Sequence, residues 1–213
     1  MNQNEPTFDV LMMSGQEVYF KNANSYMVNE SDIARYTGGL TRYNGGIPWT
    51  VMQHHLLCIA ITPFLFPNLD RETLQLLIGY IAMHDEHEII VGDLSGGMRK
   101  WVPDYDAIET EWEKHFHDSQ GLPLNSQYKD QLHLIDKRAQ AIEMRYFVHP
   151  GASLWEAKTT GKPVSQDEYA AIRGAIYVTE ADGEDYYDRL TTYINHIKPH
   201  KDKAREIVAN RKD

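Results

Sequence analysis

Apolar side chains recur at helical spacing along most of this chain. Val51, His54, Cys58 and Ile61 follow one another at intervals of three, four and three, and Met52, His55, Ile59 and Thr62 make a second stripe. Either stripe reads as the buried face of a helix over residues 51 to about 62, closed by Pro63 and Pro67. Leu74, Leu77, Ile78 and Ile81 predict a second helix from residue 70 or 71 to about 91, ended by Gly92. A third, from about 104 to 118, turns Tyr105, Ile108, Trp112 and Phe116 inward. The cleanest repeat, Leu132, Ile135, Ala139, Ile142 and Tyr146, predicts a fourth over about 126 to 147. Ser165 and Glu168 fit a capping box that opens a helix through Tyr169, Ile172 and Ile176. A last helix from about 182 carries Tyr186, Leu190, Tyr193 and Ile197 and stops at Pro199, and the charged tail reads as a short exposed helix.

Before residue 30 the pattern shortens. Val18, Tyr19 and Phe20 and then Tyr26 and Val28 flank the polar stretch 22–25, which predicts a small β-hairpin. Ser31 and Asp32 cap a helix start at Ile33 and Ala34. Glycines from Gly38 to Gly46 then open a loop holding Arg42, Tyr43, Asn44 and Gly45. The expected fold is all-α, a helical bundle with a small N-terminal β-hairpin. A single domain spans 1–213, with a core of about 30–148 and C-terminal helices over about 165–213.

Composition narrows the function. With 42% hydrophobic and 24% charged residues the chain has the balance of a soluble globular protein. A net charge of −10, from 21 basic and 31 acidic residues, argues against broad contact with nucleic acid. Cys58 is the single cysteine, which rules out an internal disulfide and a Cys-rich zinc module. The most apolar run, 56–66, is too short to span a bilayer, and the polar start is not signal-like, so a cytoplasmic protein without membrane contact is expected. Of the ten histidines, His115, His117, His149, His196 and His200 lie in polar surroundings and read as solvated surface.

The remaining polar residues are the informative ones. His84 and Asp85 arrive where the apolar face of the second helix would continue, and a buried charge needs a partner, a hydrogen bond or a metal. His54, with His55 as its competitor, lies on an apolar stripe of the first helix, and Asp136 borders that of the fourth. His54, His84, Asp85 and Asp136 together make a mixed nitrogen and oxygen donor set suited to one divalent ion such as Zn²⁺, Co²⁺ or Mn²⁺, with positions left for water and substrate. Glu88, three residues beyond Asp85, is expected to orient the attacking water or move a proton, and Asp93 to protonate the leaving oxygen. Arg42 and Lys100 are candidates to neutralise phosphate.

These residues, in this order, resemble the HD-domain metal-dependent phosphohydrolases. The matching features are Ser14-Gly15, Asp32-Ile33-Ala34, Arg42-Tyr43-Asn44-Gly45, the Gln53-His54 pair, His84-Asp85 with Glu88, Gly92-Asp93, Lys100 and Asp136-Lys137-Arg138, covering about residues 14 to 148. The similarity is to the bacterial and phage branch that includes the 5′-deoxynucleotidases and small phage dATP triphosphohydrolases. It favours His54 over His55 as the first ligand and pairs Asp136 with Glu143. It implies an HD-domain helical bundle, often a homo-oligomer, that hydrolyses a small-molecule nucleotide in the cytoplasm of a bacterium or phage-infected cell. Departures fall after Gly45, where Gly46 and Ile47 stand, and at Leu94 to Gly97. Two other readings are a non-catalytic HD module that binds a nucleotide as sensor or scaffold, and a phosphodiesterase whose second metal recruits His55, His87 or His133.

Overall fold

The computed structural model describes residues 9–94, 99–147, 163–182 and 185–211, and over them the protein is an all-α fold with one two-stranded N-terminal hairpin. Strands β1 (Val10–Leu11) and β2 (Glu17–Val18) pair antiparallel, Val10 opposite Val18. The hairpin is thus one step earlier than its apolar runs predict: the chain reverses at Ser14 and Gly15, with Gly15 at φ +84°, and 22–25 is a separate short turn. Asp32 fixes this reversal. Its buried carboxylate accepts from the Ser14 amide (3.1 Å), the Ser14 hydroxyl (2.6 Å) and the Tyr26 hydroxyl (3.1 Å). Helix α1 (Glu30–Thr37) is capped by Asn29 rather than by Ser31 or Asp32.

Helix α2 (Val51–Leu65) is the axis of the bundle. Thr50 and Gln53 form a capping box at its start, and the helices Arg71–Ile81, Lys129–Phe147 and Gln166–Asp182 pack around it. Both sequence stripes are therefore inside: Val51, His54, Cys58 and Ile61 have no exposed surface, and Met52, His55 and Thr62 are buried too. Pro63 lies within the last turn and does not end the helix, which runs on to Leu65.

The largest departure is in the second predicted helix. Helix α3 (Arg71–Ile81) stops ten residues early; residues 82–87 form turns, and α4 (Glu88–Val91) is a separate short helix. His84 and Asp85 consequently sit on a bend, and Glu88 does not continue their helical face. Helices α5 (Tyr105–Ser119), α6 (Lys129–Phe147) and α7 (Gln166–Asp182) follow close to expectation. Trp112 and Phe116 are buried as predicted, but so is His117, whose Nδ1 is 2.9 Å from the Leu122 carbonyl.

The C-terminal segment belongs to the core. Helix α8 (Tyr186–Thr192) passes through a π-helical stretch, Tyr193–Ile197, into α9 (Lys198–Asn210). Pro199 occupies the first turn of α9, where its missing N–H costs nothing, rather than stopping a helix. Helix α9 runs against α3 so closely that a Cβ on Gly79 would stand 2.2 Å from that of Ala204. It also carries Lys201, fully buried, whose ammonium donates to Glu86 Oε1 at 2.6 Å and to the Tyr193 hydroxyl at 2.5 Å. Gln120 donates to the other oxygen of Glu86 at 2.6 Å. No helix among the described residues is long and apolar enough to cross a membrane.

Removing one member of a buried ion pair leaves a charge without compensation, so Lys201→Met should lower unfolding free energy by about 3–5 kcal/mol, read from the urea midpoint. Lys201→Met combined with Glu86→Leu should recover much of that loss. A double variant no more stable than the single one would refute the pair as the source.

Candidate metal centre

Four side chains from three parts of the chain converge beside α2. The donor atoms of His54, His84, Asp85 and Asp136 all lie within 4.8 Å of one another. His54 Nε2 is 3.3 Å from His84 Nε2, 3.3 Å from Asp136 Oδ1 and 3.7 Å from Asp85 Oδ2, and His84 Nε2 is 3.2 Å from Asp85 Oδ2. Donors bound about 2.0–2.1 Å from one ion at tetrahedral angles stand roughly 3.3 Å apart. The four atoms thus have the spacing of a shared ion's ligands.

The outer contacts set the tautomers. His54 Nδ1 lies 2.5 Å from the wholly buried Glu143 carboxylate, which also accepts from the Tyr43 hydroxyl at 2.6 Å. His84 Nδ1 lies 2.6 Å from the Ile81 carbonyl. Each ring therefore donates from Nδ1 and presents a bare Nε2 lone pair to the centre, the arrangement typical of metal-bound histidines. Two facing lone pairs repel unless a cation or a proton lies between them. In the ion-free protein His54 is driven well above its ordinary range: burial and Arg42 oppose protonation, but Cys58, Glu143 and Asp136 outweigh them. The centre attracts positive charge.

Arg42 supplies some of that charge. The loop from Leu40 to Val51 is tied by Arg42 N to Trp49 O (2.8 Å) and Val51 N to Leu40 O (2.9 Å), and it delivers the buried Arg42 guanidinium to Asp85 at 2.8 Å. The same group lies 4.0 Å from Asp136 and 3.7 Å from Glu143. Although burial opposes its ionisation, the Asp85 carboxyl is held well below its usual range by His84, Arg42 and His54. Arg42 thus bonds to one carboxylate of the cluster in this arrangement.

Glu88 and Asp93 flank the cluster on α4 and just after it. Glu88 is buried, and its Oε2 has no hydrogen-bond partner among the described residues. Burial and the neighbouring Asp85 push its carboxyl well above the ordinary range. Asp93 accepts from the Tyr43 amide at 3.2 Å, and its carboxyl is raised by burial and by Asp85. Lys100 is not brought to the cluster: it is exposed, with its ammonium 5.7 Å from the Trp101 ring. Arg99 is the cation of that segment that lines the adjoining cavity, held by Glu109 and set over the Tyr105 ring. The loop positions Ser95, Gly96 and Gly97 lie outside the described residues.

That cavity has a volume of about 620 Å³ and is bordered by His84, Asp85, Glu88 and Asp136 at one side and by Arg99 and Lys129 elsewhere. A second, of about 580 Å³, is lined by Gly38, Gln53, Phe147 and Arg189 and shares no residue with the cluster. Of the histidines considered for a second metal, His87 is buried and lines the first cavity, His133 lines it from an exposed position, and His55 is buried with Nε2 unpartnered. Sequence reasoning attached no role to Glu143 beyond its pairing with Asp136. Its signal was present, since a residue seven after Asp136 returns to the same helical face.

No protein-family model matches this chain. It is similar to the protein named "Uncharacterized protein YfdR" of Escherichia coli strain K12, 26% identical over 114 residues. The match covers 52% of this chain and 57% of that protein, so the aligned stretch spans little more than half of the relative.

Removing a donor and removing its support should differ in degree. Asp136→Ala should abolish stoichiometric Mn²⁺ binding, measured by elemental analysis after gel filtration, while Glu143→Gln should weaken it about 10–100-fold. Unchanged metal content in both variants would exclude this cluster as the metal centre.

Proposed function

We propose that this protein is a divalent-metal-dependent phosphohydrolase acting on nucleotides, of the deoxynucleotide triphosphohydrolase or 5′-deoxynucleotidase type. The observation that carries this reading is the convergence of His54, His84, Asp85 and Asp136, three of which line a cavity that Glu88 also borders. The ordered resemblance to HD-domain phosphohydrolases supports the same assignment. One Zn²⁺, Co²⁺ or Mn²⁺ is the expected ion. When bound, such an ion supplies Lewis acidity toward a phosphoryl oxygen and a nucleophile available near neutral pH.

The chain's own residues divide the remaining work. Glu88, at the border of the cavity, orients the attacking water and accepts its proton, and a carboxyl raised by burial and by Asp85 is the stronger base for that task. Asp93 is the proton donor to the leaving oxygen; its carboxyl, raised by burial and by Asp85, holds a proton more readily than a solvated one. Arg42 offsets the charge of the ligand carboxylates from 2.8 Å. Arg99, bonded to Glu109, and Lys129 also line the cavity and are the cations nearest to hand for a phosphate chain there. Lys100, exposed on Trp101, is the weaker candidate for that task.

The deciding assay is a panel of deoxy- and ribonucleotides at mono-, di- and triphosphate level with Co²⁺, Mn²⁺ or Zn²⁺, following release of phosphate, pyrophosphate and triphosphate. Phosphate from monophosphates identifies the nucleotidase type, and intact triphosphate from a deoxynucleoside triphosphate identifies the triphosphohydrolase type. No turnover with any metal would overturn the enzyme reading and favour the sensor. Within an active protein, Glu88→Ala should keep the metal and lose about 10²–10⁴-fold in kcat. Metal loss in Glu88→Ala equal to that in Asp136→Ala would refute this division of roles.

A further inference from the structure

Cys58 stands one helical turn beyond His54 on α2, where side chains four apart share a face. It is wholly buried, and its Sγ is 3.4 Å from His54 Nε2, the same atom that faces His84, Asp85 and Asp136. The donor atoms of His54, Cys58 and His84 also lie within 4.8 Å of one another. A sulfur about 2.3 Å and a nitrogen about 2.0–2.1 Å from one tetrahedral ion are separated by roughly 3.5 Å. The S···N spacing fits a shared ion as well as the N···N spacing does. The two Nε2 lone pairs, that of His54 wholly buried, are set by the Nδ1 contacts with Glu143 and Ile81 and are the independent sign that this point of the fold is built for a cation.

Resting on the metal-centre reading above, we propose that Cys58 is a ligand for thiophilic divalent ions. Zn²⁺ or Cd²⁺ is taken by His54, Cys58 and His84, whereas Mn²⁺ is held by His54, His84, Asp85 and Asp136 without the sulfur. The two donor sets overlap through both imidazoles, so they cannot be filled together. Binding through Cys58 breaks its S–H bond, forms a sulfur–metal bond and releases one proton to solvent, with no change in oxidation state. Thiolate selects the softer ions, while carboxylates suit the harder ones. The protein thereby discriminates among divalent ions by which neighbours of the histidine pair are used.

Cobalt distinguishes the possibilities. In the full-length protein loaded with Co²⁺, visible ligand-field bands report that the ion is bound, and a near-ultraviolet sulfur-to-cobalt charge-transfer band reports a thiolate ligand. Wild type should show both, and Cys58→Ala should keep the first and lose the second. The Cd²⁺ dissociation constant should rise about 10-fold or more in Cys58→Ala, and that of Mn²⁺ should change less than about 2-fold. Visible bands without a charge-transfer band in the wild-type protein would overturn Cys58 ligation and leave the metal centre standing, whether or not the variant folds. Failure to bind cobalt, cadmium or manganese at all would overturn the centre itself.

Discussion

A carboxylate inside this bundle must find hydrogen-bond donors or a cation, and the turn of residues 82–87 presents two in adjacent positions that are satisfied in different ways. Glu86 meets Lys201 at 2.6 Å, an ammonium supplied by α9 and fully removed from water. Asp85 meets Arg42 at 2.8 Å, but shares that guanidinium with Glu143 and, at longer range, Asp136. Glu88 adds a further buried carboxyl whose second oxygen has no partner among the described residues. The fold thus neutralises one side of the turn from within and leaves the other short of positive charge. That imbalance is what would let the cluster hold a metal ion rather than close as an internal salt-bridge network.

The same turn explains how far the C-terminal segment reaches. Helix α9 packs along α3, and Lys201 bonds to the residue that immediately follows Asp85. The π-helical stretch before α9 contributes Tyr193, which accepts from Lys201 and lies 3.4 Å from Glu86. A widened turn of this kind re-aims side chains by inserting one residue into a helix. The last helices are therefore a clamp on the bend that carries His84 and Asp85.

Much of the helical architecture was legible because amphipathic periodicity is a direct image of burial, as Ile135, Ala139 and Ile142 on α6 illustrate. The failures have equally physical causes. Periodicity could not separate His54 from His55, because α2 is surrounded by α3, α6 and α7 and buries both stripes. It could not find the end of α3 at Ile81, because Met83, Ile89 and Ile90 continue inward beyond the helix and keep the sequence apolar through the bend. Pro63 and Pro199 misled for different reasons: Pro199 sits in a first turn, where its missing N–H is spare, whereas Pro63 forfeits a bond in the last turn of α2, after which only two residues of the helix remain. The tail was read as exposed because charge dominates its composition. Lys201 is buried only through the pairing with Glu86, 115 positions away in sequence, which no local pattern encodes.

The donor residues themselves were readable as types, but their arrangement was not. A continuous helix would have placed Glu88 on the face of His84 and Asp85; the break at Ile81 instead sets the two ligands on a bend and Glu88 at the start of its own short helix. A carboxylate on the same helical face as His84 and Asp85 would be one more candidate donor beside them, whereas Glu88 borders the cavity from α4. On the proposed function, the distinction between holding an ion and handling a proton arises where α3 ends, and residues that look equivalent in sequence are set apart by a change in backbone direction.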